Sequence, residues 1–543
     1  MKSIATHRAG RLSSLMAAVF CMLSCVEIDD TIGVNFIPKN QTFKTYSLDI
    51  PIRDIYMQPL DSMSGTSSMR ISLGAIRDED SGLSTRSSAF PIVPLYDSLD
   101  FGDAGSQVYK SFQFHAAFDT ISVAQEDQRY ILQNVNVYAL NKPLSTISNI
   151  NAEIDYDSSK RVTSGVPVLN GSMNLIFEFD PDFGRRFMDI SLQDTKDINT
   201  YLAKYPGIYL ETDTPAGDGG RFNFFKLQLD YDDDYLNGNY AELRFSARYD
   251  GVQKDTSFIF LFGLNGFYDT DSLLTNSSTG YLPQTCVNIN SISELTRSKA
   301  GAAQEEILLE GGGGLHPMIP AKELNELMRE AIAPYGDPDK AIINRARVVL
   351  PFKTPEDMEE LDKYPSILSP GVKVRYSADT VSYYVLTDYS ETTQDHGDIN
   401  RSLFEYAPDF TYHAQSILRL DTSKSTSNYD IWFLIQATEV ITTQKEGLNQ
   451  DMYEFYQNML YSSYYNNMYG GYNSYYGNGY NSYYNSYYYM WQMQSMLEQA
   501  EQTSTIETVM LDNDRFYKAR LLGPKASGGR VPTLKLVFSI PED

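Results

Sequence analysis

The pattern of hydrophobic and polar positions predicts a chain built mainly from β-strands. Alternation with a period of two, typical of strands with one buried face, occurs in segments 134–140, 225–230, 241–249, 372–377 and 533–540. Near-continuous apolar runs, which fit strands covered on both faces, occur at 173–179, 257–264 and 430–437. Turn-rich sequences separate these segments. We therefore predict two antiparallel β-sandwich or jelly-roll-like domains with a few short helices.

Helical periodicity appears in three places. Segment 320–336 begins with a proline and places Leu324, Leu327, Met328 and Ile332 on one face, so it predicts a helix that crosses an end of the second sandwich. The other two stripes flank residues 461–490. Their apolar positions are Leu448, Met452, Phe455, Met459 and Leu460 before that segment, and Trp491, Met496 and Ala500 after it.

Residues 461–490 are nearly all Tyr, Asn, Ser and Gly, without hydrophobic periodicity. We interpret 445–503 as a helical hairpin with a Tyr-rich tip, inserted between two strands of the second domain. Exposed tyrosines form adhesive surfaces because each ring combines apolar area with a hydroxyl group. The sequence leaves open whether the segment binds a partner or is a tolerated insertion. The possible binding surface comprises Tyr464, Tyr465, Tyr475, Tyr476, Tyr483 and Tyr484.

The first residues predict export and lipidation. Lys2, Arg8 and Arg11 precede an apolar core, and Ser24-Cys25 resembles the junction at which bacterial lipoproteins are cleaved and acylated. Cys25 would then carry acyl chains, palmitate among them, and become the mature N-terminus. An ordinary secretory signal cut nearby is the alternative.

The chain divides into four predicted parts. The low-hydrophobicity stretch 298–306 is the candidate boundary between the two large domains. The parts are a signal peptide at 1–24, the lipidated cysteine and an acidic tether at 25–45, a first β-sandwich domain at 46–300 and a second at 301–543, which carries the 445–503 insertion.

Composition excludes several classes of function. The 543 residues carry a formal net charge of −26, which argues against nucleic acid as a partner and disfavours direct adhesion to anionic lipid. After processing only Cys286 remains in the mature chain, so no intramolecular disulfide, cysteine metal site or redox pair is predicted. We interpret Cys286 as a small buried hydrophobic residue.

The sequence contains no recognisable catalytic motif. The histidines of the mature chain are His115, His316, His396 and His413, and none has the spacing of a zinc hydrolase. No GxSxG elbow is present, and the glycines at 311–314 lack the lysine of a phosphate loop, so they predict a flexible turn. We expect neither an enzyme nor a cofactor.

One acidic cluster has calcium-like spacing. Asp230, Asp232 and Asp234 match positions one, three and five of a calcium loop, but Tyr235 replaces its glycine and Ala241 its bidentate acid. A plain acidic turn is the favoured interpretation.

Trp432 is similarly interpreted as a core residue rather than a sugar platform.

Three stretches carry a resemblance to a known family: DDTIGVNFIP at 29–38, YPGIYLETD at 205–213, and the pair 307–328 and 343–352. Together they resemble the Bacteroidota lipoproteins that share domain of unknown function 4270. The resemblance implies an outer-membrane lipoprotein, and Glu27, Asp29 and Asp30 resemble the signal for export to the cell surface in these bacteria. The family has no settled activity, so no catalytic residue is implied.

The sequence therefore predicts a lipid-anchored outer-membrane protein that faces the cell exterior. Its expected role is that of a non-catalytic binding or accessory subunit of an envelope protein assembly, with protein partners in the outer membrane. A glycan-binding surface lipoprotein is the alternative, although two tryptophans are few for sugar stacking. An envelope hydrolase ranks third.

Overall fold

A computed structural model provides the structure of the protein. It describes residues 42–60, 63–67, 69–95, 98–121, 123–124, 132–145, 148–232, 235–263, 279–375, 381–386, 397–442 and 505–541. The fold is mainly β, with several antiparallel sheets and few short helices, as the sequence predicts.

The strands up to residue 300 are β1 Phe43–Pro51, β2 Tyr56–Pro59, β3 Thr66–Ser67, β4 Arg70–Asp78, β5 Gly82–Phe90, β6 Ile92–Pro94, β7 Val108–Ala116, β8 Val123–Ala124, β9 Gln133–Leu140, β10 Tyr156–Arg161, β11 Val168–Leu169, β12 Leu175–Glu178, β13 Ile208–Thr212, β14 Gly219–Lys226, β15 Gln228–Asp232, β16 Tyr235–Gly238, β17 Tyr240–Tyr249, β18 Val252–Phe262, β19 Thr279–Pro283 and β20 Cys286–Ser291.

The later strands are β21 Gly301–Ala302, β22 Glu306–Glu310, β23 Leu315–Ile319, β24 Ile342–Pro351, β25 Ile367–Arg375, β26 Val381–Val385, β27 Glu405–Tyr406, β28 Ile431–Thr442, β29 Thr505–Leu511, β30 Lys518–Leu522 and β31 Thr533–Pro541. The α-helices are α1 Pro181–Arg185, α2 Ile198–Lys204, α3 Glu294–Ser298, α4 Ala321–Ile332 and α5 Thr411–Leu418.

Residues 63–292, here called the first body, form a sandwich of two main sheets. One is a ten-stranded sheet with the path β10-β9-β13-β5-β4-β14-β8, joined by β3, β11 and β20; the other is a five-stranded sheet with the order β12-β7-β17-β18-β6. Their facing sides share one core that is rich in phenylalanine. Rings such as Phe114 and Phe262 stack in it with their centroids 4.9 Å apart.

The second body comprises residues 42–60 and 301–541. Its four-stranded sheet β1-β31-β24-β27 and its seven-stranded sheet β21-β2-β23-β28-β25-β26, joined by β29, share a core with α4 and α5. Helix α4 buries Leu324, Leu327, Met328 and Ile332, the four residues that the sequence places on one face.

The first and last strands of the described residues lie in the same sheet of the second body. Strand β1 pairs antiparallel with β31 along its whole length, from Phe43↔Pro541 to Pro51↔Thr533, and β2 pairs with β23. The first body is thus inserted between β2 and β21 of the second. The division at residue 300 into independently folding domains stays a prediction, but strands β1 and β2 belong by pairing to the sheets of the C-terminal half.

Most of the local predictions are confirmed, with three exceptions. Segment 173–179 is not covered on both faces, because Ile176 in β12 is 48% exposed. In segment 257–264, the fully buried run among the described residues extends only from Phe260 to Gly263. Helices α1, α2, α3 and α5 lie outside the three predicted helical places, because five to eight residues are too few to show a clear period of 3.6.

Candidate functional site

The two bodies meet at a buried network of charged side chains, here called the seam network. Charged groups are rarely buried unless they are paired, so this cluster is the least ordinary chemistry in the described residues. The first body supplies two of its members and the second body four: Arg70 and Asp119, with Glu439, Asp512, Asp514 and Arg515.

Arg70 is the central cation of the seam network. Its Nη1 and Nη2 atoms donate to Glu439 Oε1 at 2.9 Å and Oε2 at 2.7 Å, and its Nε donates to Asp119 Oδ2 at 2.8 Å. Although burial by itself lowers the pKa of Arg70, the hydrogen bonds and charges of Glu439, Asp514 and Asp119 hold that pKa above its ordinary value. The bidentate geometry fixes the orientation of β28 relative to β4.

A tight turn at 512–515 supplies the other charges. The Asp512 Oδ1 atom accepts hydrogen bonds from the backbone N–H groups of Asp514 and Arg515, both at 3.0 Å. Its Oδ2 atom accepts from Arg515 Nη1 at 2.8 Å, and the same nitrogen lies 2.5 Å from Glu439 Oε1. The turn therefore holds Arg515 as a second cation against the carboxylate that Arg70 binds.

Asp514 connects the turn to the first body by weaker bonds. Its carboxylate accepts hydrogen bonds from Asn288 Nδ2 and Ser67 Oγ, both at 3.2 Å, and lies 4.0 Å from Arg70 Nη1. Burial raises the pKa of Asp514 to about 6, because these partners only partly replace water. Asp514 therefore keeps its proton to a higher pH than an exposed aspartate does.

The glycines at 311–314 are not the flexible turn that the sequence predicts. All four are buried, and Gly312 and Gly313 have φ angles of +66° and +89°. A Cβ atom on Gly312 would lie 1.7 Å from Arg86 Nη2, and Arg86 Nη1 donates to the Gly312 carbonyl at 3.3 Å. Glycine is required there because the turn packs directly against a buried guanidinium of the first body.

Strands β28 and β29, here called the stem, carry the two ends of the Tyr-rich insertion. They pair antiparallel from Gln436↔Leu511 to Thr442↔Thr505, and residues 443–504 follow β28 and precede β29. Glu439, which binds Arg70, lies in the middle of this pairing, opposite Thr508. The seam network therefore fixes the stem to the first body.

Many of the predicted site residues lie outside the described residues. They are the lipidation site Cys25, the export residues Glu27, Asp29 and Asp30, the six candidate tyrosines at 464, 465, 475, 476, 483 and 484, the insertion 445–503 as a whole, and His396. Predictions about them stay predictions.

The calcium candidate is only partly described. The backbone of Asp230 and Asp232 lies in β15, which pairs with β16 and β19, and Asp234 lies outside the described residues. Among the described residues, no three His, Cys, Asp or Glu side chains are grouped so that they could hold a metal ion.

The remaining singled-out residues are packed in the interior. Burial lowers the pKa of both His316 and His413 to about 4, so both imidazoles are neutral at pH 7. Cys286 is buried and its thiol donates to the Arg70 carbonyl at 3.2 Å, close to the seam. Trp432 packs edge-on against Tyr383 at 5.4 Å, as a core residue does.

Sequence reasoning missed the seam network, and only a weak local signal pointed to it. Arg70 is the first residue of the run RISLGAI, and all seven residues of this run are buried. A cation at the start of a strand that is covered on both faces needs a carboxylate partner that is also buried. Nothing local indicates that the carboxylate is Glu439, because the two positions are 369 residues apart.

No helix among the described residues is both long enough and apolar enough to cross a membrane. Comparisons of the chain with family models, curated proteins and solved structures found no match.

Proposed function

We propose that this chain is an outer-membrane, surface-exposed lipoprotein that acts as a non-catalytic binding or accessory subunit of an envelope protein assembly. Its lipid would be carried by Cys25, and Glu27, Asp29 and Asp30 would direct export to the cell surface. Protein partners would bind the tyrosines of 461–490. The resemblance of the chain to the lipoproteins with domain of unknown function 4270 supports this address.

The observation that carries the proposal is the fixed stem. A segment that binds a partner loses less entropy when its attachment points are already held in one orientation. Both ends of 443–504 are attached to paired strands, and Glu439 within the stem accepts two hydrogen bonds from Arg70. The fold thus holds the attachment of this Tyr-rich segment rigidly, as expected for a displayed binding element.

The test is co-purification from membranes in mild detergent. In the first variant, all six tyrosines at 464, 465, 475, 476, 483 and 484 are changed to serine, so that chain length is unchanged. In the matched control, the same six are changed to phenylalanine, which keeps ring area. We expect the serine variant to lose stoichiometric envelope partners and the phenylalanine variant to keep most of them, because ring burial dominates aromatic hot spots.

The anchor is tested separately with Cys25→Ala, which we expect to release the chain from the membrane fraction or to stall it as a precursor. Equal partner recovery in all three tyrosine versions contradicts the binding role. Unchanged membrane retention with normal maturation in Cys25→Ala contradicts the lipoprotein address.

Glycan binding is a second candidate, favoured by a cluster of tyrosines on the first body. Tyr156 lies between Tyr138 and Tyr209, with ring centroids 5.2 Å and 4.3 Å apart, and Glu211 lies beside Tyr209. Tyr209 is buried, so the half-buried Tyr138 and Tyr156 are the rings of this cluster that a sugar could meet. Rings next to carboxylates are suited to the faces and hydroxyls of sugars. Tyr156→Ala should then weaken retardation by envelope polysaccharide in affinity electrophoresis; no retardation of the wild-type chain rules this candidate out.

A further inference from the structure

The four-stranded sheet of the second body has one face packed on the core and one face directed outward. In β1, Tyr46, Leu48 and Ile50 contact the core, so the alternate residues of that strand lie on the other face. The register with β31 and β24 extends this alternation across the sheet. The side chains on the outward side are here called the outer face.

One end of the outer face exposes two large apolar side chains on either side of a polar centre. Phe43 and Ile342 are 49% and 47% exposed, and Ser539 lies between the positions of Ile342 and Thr45 in the register. Tyr412 is 72% exposed and lies beside β24. It is held there because the preceding residue, Thr411, accepts a hydrogen bond from the Ala346 N–H of β24 through its Oγ1 atom. This is the end at which β1 begins, directly after the chain segment that leads from Cys25.

Next to this end, the outer face carries cationic side chains. Arg345 lies opposite Val537 and, two residues further, Arg347 lies opposite Lys535. Both arginines share the buried Asp409, at 3.6 Å and 3.7 Å, and Asp49 lies opposite Lys535. The three cations Arg345, Arg347 and Lys535 thus outnumber the two carboxylates Asp409 and Asp49, and an external anion beside them would reduce the repulsion between like charges in opposite positions of the sheet.

The tether from Cys25 keeps the start of β1 near a membrane, and the phosphate headgroups of that membrane are anionic. Residues 26–42 span at most about 60 Å, whatever their conformation. The start of β1 therefore stays close to the surface that holds the acyl chains. Exposed aromatic and apolar residues next to cations are the usual composition of protein surfaces at lipid headgroups.

We propose that the outer face rests on the phosphate headgroups of the membrane that holds the Cys25 anchor. It orients the protein, while the acyl chains supply the attachment. The net charge of −26 contributes to this orientation, because the acidic remainder of the chain is repelled from the same headgroups. The inference rests on the lipid anchor of the proposed function and adds the face that meets the membrane.

The test uses the full acylated chain in vesicles that contain phosphatidylcholine alone or with phosphatidylglycerol. A fluorophore is attached through Tyr412→Cys, or at the control position through Val108→Cys on the first body, and the lipids carry a headgroup quencher. We expect quenching at position 412 on anionic vesicles, little at position 108, and loss of the difference at about 1 M salt, where the Debye length is ~3 Å.

Charge variants complete the test. Lys535→Glu and Arg345→Gln should each reduce quenching at position 412, whereas Lys254→Glu, on an exposed strand position of the first body, should not. Quenching that is independent of lipid charge, or equal in all variants, overturns the inference. An acidic protein partner that is lost in Lys535→Glu, without any lipid dependence of quenching, also overturns it and assigns the face to that partner.

The vesicle experiment distinguishes a failure of the lipid anchor from a failure of the outer-face proposal. A chain that stays off all vesicles counts against the lipid anchor. A chain that attaches to vesicles but shows no preferred orientation counts against the outer face alone.

Discussion

The core of the first body is built from apolar side chains, whereas the seam network is built from charged side chains. The core packs fully buried rings such as Phe112, Phe114 and Phe260 between two sheets. The seam buries charges from both bodies and pairs them through bonds such as Arg70–Glu439. Apolar packing is strong and non-directional, whereas a bidentate ion pair permits one arrangement only.

The comparison indicates where stability and where orientation come from. Buried ion pairs add little net stability, because desolvation offsets attraction, but breaking one leaves an uncompensated charge. The cores are therefore expected to stabilise each body, while the seam network selects how the bodies and the stem are arranged. Variants can separate these two contributions.

The largest effect is expected from Arg70→Met. It leaves Glu439 and Asp119 buried without their main cation, which costs about 3–5 kcal/mol. The measurement is the urea midpoint of the full chain at pH 8 and pH 5. The deficit should be smaller at pH 5, because the variant leaves the buried Asp514, whose pKa burial raises to about 6, with one nearby cation fewer while it is ionised at pH 8, whereas at pH 5 this carboxyl is protonated.

Phe112→Ala is the matched control in the apolar core. Its cost is expected to be similar, about 3–5 kcal/mol, because it removes a fully buried ring. That cost should be the same at both pH values. An equal pH response in the two variants contradicts the distinction between seam and core.

A smaller effect is expected from Gly312→Ala. The new Cβ atom meets Arg86 at the seam and the backbone has a positive φ, so we expect a loss of about 1–3 kcal/mol. Gly528→Ala is the control, since its φ is +104° but a Cβ atom on that residue would meet nothing within 4 Å. Thermal unfolding should lower the midpoint clearly more for Gly312→Ala; equal shifts would indicate backbone strain alone.

Asp514→Asn sharpens the comparison by its pH dependence. The folded state holds a proton on Asp514 up to a pKa of about 6, above the ordinary value of 3.8. This proton-linked stability is complete below pH 4 and is lost as the pH rises through 6. The stability of the variant relative to the wild type should thus rise by about 2 kcal/mol between pH 4 and pH 8, as measured by urea unfolding. A constant difference contradicts the raised pKa.

Sequence patterns were sufficient for elements whose environment is local. The alternation at 533–540 predicts the burial of Leu534, Leu536, Phe538 and Ile540, and the periodicity of 320–336 predicts α4. Each of these two patterns depends only on which face of a single strand or helix is buried. The insertion of the first body did not follow, because the β1–β31 pairing joins residues from opposite ends of the chain.

The candidate site was less predictable for the same reason. The sequence predicts a tyrosine-rich binding segment and an acylation signal, each of which is a continuous segment, but it does not predict the seam network. Arg70, Glu439 and Asp514 each look like ordinary charged residues, and only the packing of two bodies makes them a unit. The buried turn at 311–314 was misjudged because its environment includes Arg86, more than 200 residues away.

A double-mutant cycle on Arg70 and Glu439 tests the central claim most directly. The full chain is compared with Arg70→Met, Glu439→Leu and the double variant by urea unfolding at pH 8. If the pair fixes the two bodies and the stem, the double variant loses less stability than the sum of the two single variants, by a coupling energy of at least about 1.5 kcal/mol. Single-variant costs that simply add would show that the two side chains act independently and would contradict the account.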